Sequence, residues 1–79
     1  MNAEDVEHHW AQRASRYLKA ELKRADVTYE ELATRLKEHG LEETRDSIAS
    51  KLKRGTFAAT FFLAALAALQ LEGVRLEDI

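Results

Sequence analysis

Gly40, Gly55 and Gly73 are the only glycines in a chain of 79 residues that contains no proline. Glycine punctuates a backbone by reaching left-handed conformations, and proline by removing a donor and fixing φ. A chain with so little punctuation has few places to turn, and it favours helical runs over strands and hairpins. Alanine and leucine, both strong helix formers, supply much of the apolar content. The expected fold class is all-α: a small bundle of four main helices.

Each helix has a signature. The first is expected over about 3–25, with Val6, Trp10, Ala14, Tyr17 beside Leu18, Leu22 and Ala25 recurring at helical spacing. Asn2 or Asp5 caps its start, and Asp26 breaks it. The second follows Thr28, which forms a capping box with Glu31, while Val27 staples onto Leu32. Leu32, Ala33 and Leu36 form its apolar stripe, and Gly40 ends it. The third runs from the cap Thr44 to Gly55, with Ile48, Ala49 and Leu52 facing inward. The fourth, capped by Thr56, covers about 57–71 and is apolar all round; such a helix is buried on every side or has a partner. The tail turns at Gly73, with Val74, Leu76 and Ile79 as apolar contacts. The length suits one domain, 1–79, burying roughly 60% of its unfolded surface.

Several function classes fall away. Without cysteine there is neither a disulfide nor a thiolate metal site. The start "MNAEDVEHHW" is acidic and unlike a secretory signal. The most apolar stretch, Phe57 to Leu71, is shorter than the ~20 residues that span a bilayer. These features point to a cytoplasmic protein without membrane association. No nucleophile stands beside a base, and no glycine loop cradles phosphate, so the chain is not expected to be an enzyme and implies no cofactor or small-molecule ligand. His8 and His9 point ~100° apart on a helix and do not converge on a metal. They read as surface histidines, and His39 reads as a partner for the last carbonyls of the second helix.

The formal net charge of −2 conceals a pattern. Base is confined to two segments. Residues 10–25 hold Arg13, Arg16, Lys19, Lys23 and Arg24, and residues 44–54 hold Arg45, Lys51, Lys53 and Arg54. Acid dominates everywhere else. If the two segments lie side by side, an acidic body carries one basic face, the electrostatic footprint of a nucleic-acid binder.

The second and third helices together, about 28–55, suggest a helix-turn-helix. With Ile48, Ala49 and Leu52 turned inward, Ser47, Ser50 and Arg54 face outward, flanked by Asp46, Lys51 and Lys53. Arginine and serine suit base edges, and lysines at the rim suit phosphates. The expected DNA contacts are Arg45, Ser47, Ser50 and Arg54 at bases, with Lys51, Lys53, Lys19 and Lys23 at phosphate. The bland alternative is a solvated helix face.

The run "VTYEELATRL", the ending "KLKRG" and the helix "FLAALAALQLEGVRLEDI" resemble the lambda-repressor-like (XRE) helix-turn-helix class over about residues 16–79. The matching positions are Thr28, Glu31, Leu32, Ala33, Arg54, Gly55, Ala68 and Leu69. The chain is also similar to small bacterial proteins known only as a domain of unknown function. The helix-turn-helix resemblance implies double-stranded DNA as partner and a role as transcriptional regulator or accessory. Departures are visible too: Lys53 stands where the class has glutamate, Tyr29 where it has glutamine, and "TRLKEHGLEET" makes a longer connection.

Phe57, Phe61 and Phe62, with four leucines of the same helix, exceed what a three-helix cradle can cover. They are expected to form a homodimer interface, or else to be covered within one chain. Two copies would address DNA half-sites ~34 Å apart. The rival reading is a helical protein–protein interaction module on the same scaffold, without DNA binding.

Overall fold

The computed structural model describes residues 3–79, apart from the side chain of Glu4. The expected Asn2 cap therefore lies outside the described residues, and Asp5 stands inside the first turn. The helices are α1 (Ala3–Ala25), α2 (Tyr29–Glu38), α3 (Arg45–Arg54) and α4 (Ala59–Ala68), followed by a 3-10 turn at Leu76–Asp78. No strand occurs among the described residues.

Local chemistry sets the helix starts. Thr28 Oγ1 accepts from the Glu31 backbone N–H at 3.1 Å, satisfying one free donor of the first turn. The reciprocal half of that capping box is not formed, because the Glu31 carboxylate pairs with Arg35 one turn on. At α3 the box is complete, with Ser47 as the second member: Thr44 Oγ1 accepts from Ser47 N–H, and Ser47 Oγ accepts from Thr44 N–H.

One device ends three of the four helices. Asp26 (φ 58°), Gly40 (φ 85°) and Gln70 (φ 63°) are left-handed. Each is followed by an apolar residue whose N–H returns to the carbonyl five positions back: Val27 to Leu22, Leu41 to Leu36, Leu71 to Leu66. This is the Schellman arrangement, in which the apolar residue after the turn packs back on the helix it closes. Helix α3 ends more simply, with Gly55 (φ 80°) donating to Lys51.

The core draws on every helix: Leu18 and Leu22 of α1, Leu32 and Leu36 of α2, Ile48 and Leu52 of α3, and Phe61, Ala65 and Leu66 of α4. Helix α2 packs against both α3 and α4, and α1 packs against α4. Burying each leucine stabilises the fold by ~1.5–3 kcal/mol.

Four expectations need correction. Val6 and Trp10 are exposed, at 41% and 49%, and Ala25 is exposed too, so the α1 stripe is buried only in its middle. Helix α1 has 23 residues and outruns the three ten-residue helices packed beside it. Thr56 does not cap α4, which begins after Ala58 with no side-chain cap; the Thr56 hydroxyl accepts from Arg54 Nε instead. Helix α4 is also not buried all round. Leu63 is 62% exposed, with Ala59, Thr60 and Ala67 on the open side. That side is tolerated because most of its residues are small. Leu76, expected as an apolar contact of the tail, is likewise exposed. No helix among the described residues is long and apolar enough to cross a membrane.

Candidate nucleic-acid interface

The middle of α1 meets the last turn of α3, and a hydrogen bond fixes the meeting. Ser15 is 4% exposed, and its Oγ donates to the Leu52 carbonyl at 2.9 Å. That carbonyl lies in the final turn, where helices leave acceptors unused. Ser15 directly precedes Arg16, and Leu52 directly precedes Lys53 and Arg54. The bond therefore sets two basic segments in register across a groove.

The groove holds about 230 Å³ and is walled by Arg16 and Lys19 from α1 and by Lys53 and Arg54 from α3, with His8 and Gln12 toward one end. Among the described residues, no carboxylate lines it. Among the described residues, Arg16, Lys19 and Lys53 form no ion pair. Arg54 Nε donates to Thr56 Oγ1 at 3.0 Å, which orients the guanidinium without neutralising it. Ser50 and Lys23 are exposed on the helices that wall the groove.

Other expected contacts are held elsewhere. Lys51 Nζ pairs with Glu43 Oε1 at 2.9 Å, with the two side chains only 26% and 11% exposed, and lies 5.6 Å from the Phe61 ring centre. Ser47 Oγ donates to the same carboxylate at 2.6 Å while serving the α3 capping box. Both side chains thus turn toward the 39–44 connection, away from the groove. Arg45 is exposed at the opposite end of α3 from Lys53 and Arg54.

Arg13 serves the tail. Its Nε and Nη2 donate to the Ile79 carbonyl at 2.8 and 2.6 Å, and its guanidinium lies 4.5 Å from the Trp10 ring centre. A larger open cleft of about 670 Å³ follows on that side of α1, containing Arg13, Arg16, Tyr17, Arg24, Glu21 and Asp78 among others. Its charge is mixed, since Arg24 pairs with Glu21. Burial, with Glu21 and Asp78 nearby, raises the Tyr17 phenol above its ordinary pKa and keeps it neutral.

Phe61 is 2% exposed and belongs to this chain's own core, while Phe57 and Phe62 are half-buried, stacked on each other with ring centres 6.1 Å apart. No group of three or more potential metal ligands occurs among the described residues. His39 reaches the last carbonyls of α2 through its backbone N–H.

Sequence reasoning missed Ser15 and Glu43. Ser15 had a readable signal: on a helical wheel it falls beside Leu18 and Leu22, on the inward side of α1. Glu43 had none, because it sits in the connection and its partners lie four and eight residues on.

Residues 10–74, most of the chain, match the family described as Domain of unknown function (DUF6471), and the chain belongs to that family. No curated protein and no solved structure matches it. Nothing in these matches shows the lambda-repressor-like helix-turn-helix class.

Proposed function

We propose that this member of the DUF6471 family binds double-stranded DNA through the α1–α3 groove and acts as a transcriptional regulator or an accessory to one. The observation that supports this is the groove itself, with cations from two helices on its walls and no carboxylate among the described residues lining it. In a chain of net charge −2, such segregation of base favours a polyanionic partner. On this reading α2 and α3 are a helix-turn-helix with an elongated turn, residues 39–44. Arg16, Lys19, Lys53 and Arg54 are the central contacts; Ser50, Lys23 and Arg45 are peripheral; Ser47 and Lys51 serve the fold.

An electrophoretic shift assay against random duplex at rising salt tests the proposal. Binding at low ionic strength that weakens linearly in log–log form is expected, since each neutralised phosphate releases counterion. The double variant Lys53→Glu, Arg54→Glu should abolish it while circular dichroism stays unchanged. Absence of binding at low salt would refute the reading.

A second reading, self-association or partner binding through α4, is favoured by the exposure of Leu63. It shifts the interface from the expected Phe61 to the open side of α4. Leu63→Glu should then lower the sedimentation mass while the far-ultraviolet circular dichroism stays that of the folded chain; an unchanged mass at all concentrations would dismiss a homodimer.

A further inference from the structure

The groove's composition bears on how DNA would be read as well as on whether it binds. We infer that the α1–α3 groove holds one phosphodiester strand of a duplex, gripped equally by α1 and α3, so that recognition is of backbone charge and indifferent to base sequence. The inference rests on the DNA-binding reading above and departs from insertion of α3 as a base-reading element.

Three observations carry it. First, two of the side chains expected to meet DNA, Ser47 and Lys51, are withdrawn from the outer face of α3. Ser47 is occupied at both ends, donating to Glu43 at 2.6 Å and accepting from Thr44 N–H at 2.8 Å. Lys51 is held by Glu43 against the Phe61 ring. Bidentate or paired contacts to base edges need side chains free to adapt, and these two are fixed inward.

Second, Lys53 and Arg54 stand at the C-terminal end of α3, beside Arg16 and Lys19 from the middle of α1. A recognition helix reads bases with its N-terminal residues. Here the N-terminal turn of α3 contributes Arg45, Asp46 and the committed Ser47. The groove's cations come two from each helix, so α1 is a wall of the site and not merely a brace behind it.

Third, the groove's size and chemistry fit a strand better than a small ligand. At about 230 Å³ it falls below the ~300–1,000 Å³ common for enclosed small-molecule sites. Its walls are long cationic side chains, suited to successive phosphates and carrying no shape-selective apolar surface. Along α1 the lining runs from Lys19 back only to His8, and the sequence before His8 is acidic, so the gripped length is short.

The full-length protein is titrated by fluorescence anisotropy with duplexes of about 20 base pairs that are A·T-rich, G·C-rich or random, across a range of salt. Affinities should agree within about threefold, and log affinity against log salt should fall with a slope of about −3.6, the value for four neutralised phosphates. Arg16→Gln and Lys19→Gln should each flatten the slope by about 0.9, as much as Lys53→Gln does. A duplex with an uncharged methylphosphonate strand should bind far more weakly. Thermal midpoints of the three variants, all at surface positions, confirm that the fold is kept. Preference for one sequence by about 100-fold or more, or α1 variants that leave the slope unchanged, would overturn the inference while leaving DNA binding intact. No binding to any duplex would remove both.

Discussion

Ser15 and Glu43 are two polar residues whose work is local and whose loss should be felt at a distance. Ser15→Ala removes the donor from the Leu52 carbonyl and leaves a buried acceptor without its partner. A cost of about 1–2 kcal/mol in chemical denaturation is expected. Affinity for duplex should fall as well, because the α3 end of the groove loses its tie to α1. Glu43→Gln strips the charge that holds Lys51 and weakens the bond from Ser47. Stability should drop by about 1–2 kcal/mol. Binding to duplex should tighten, since Lys51 gains freedom to reach phosphate. A variant that is less stable yet binds better separates electrostatics from folding, and paired urea melts and anisotropy titrations would show it. Unchanged affinity would mean that Lys51 remains seated on Phe61 without its carboxylate.

At the scale of the element, helix ends were the most legible part of the sequence. Thr28, Thr44, Gly40 and Gly55 each mark a boundary where expected, because caps are set by a few neighbouring residues. The start of α4 was misplaced for a related reason. Thr56 has the right chemistry, but its hydroxyl is engaged by Arg54, and the backbone turns helical only after Ala58. Asp26 was read as a helix breaker, which it is, while the left-handed turn at Gln70 was invisible among alanines and leucines. The basic face was legible in part: segregation of charge along the chain anticipates the groove, whereas the withdrawal of Lys51 depends on a loop carboxylate that no helical period reveals. Left-handed non-glycine residues carry a steric cost. Gln70→Gly should therefore raise stability by about 0.5–1 kcal/mol, seen as a higher thermal midpoint. Within α4, Phe61→Ala should cost about 3–5 kcal/mol and Leu63→Ala less than about 0.5, because one side chain fills the core and the other stands in solvent. Phe61→Glu would consequently report on folding and not on assembly.

Across the whole molecule, one long helix carries three short ones. Helix α1, ~34 Å long, nearly matches the 39 Å greatest extent of the fold. Its middle is core, its outer face is groove wall, and its first turns reach past the other helices. The carbonyl ends of its neighbours are tied down by side chains from elsewhere: Ser15 for α3, and Arg35, whose Nη1 donates to Ala68 O at 3.1 Å, for α4. These ties give a chain of 79 residues a fixed relative placement of its basic segments.

The placement of Trp10 has a practical consequence. It is the chain's only tryptophan, it lies outside the core, and the arginine stacked on it also clasps the tail. Its emission is thus a gauge of that clasp. On heating, fluorescence should change before far-ultraviolet ellipticity does, and Arg13→Gln should erase the early phase alone. An experimenter relying on the intrinsic fluorophore would record an apparent intermediate that reports on the tail and not on the interior.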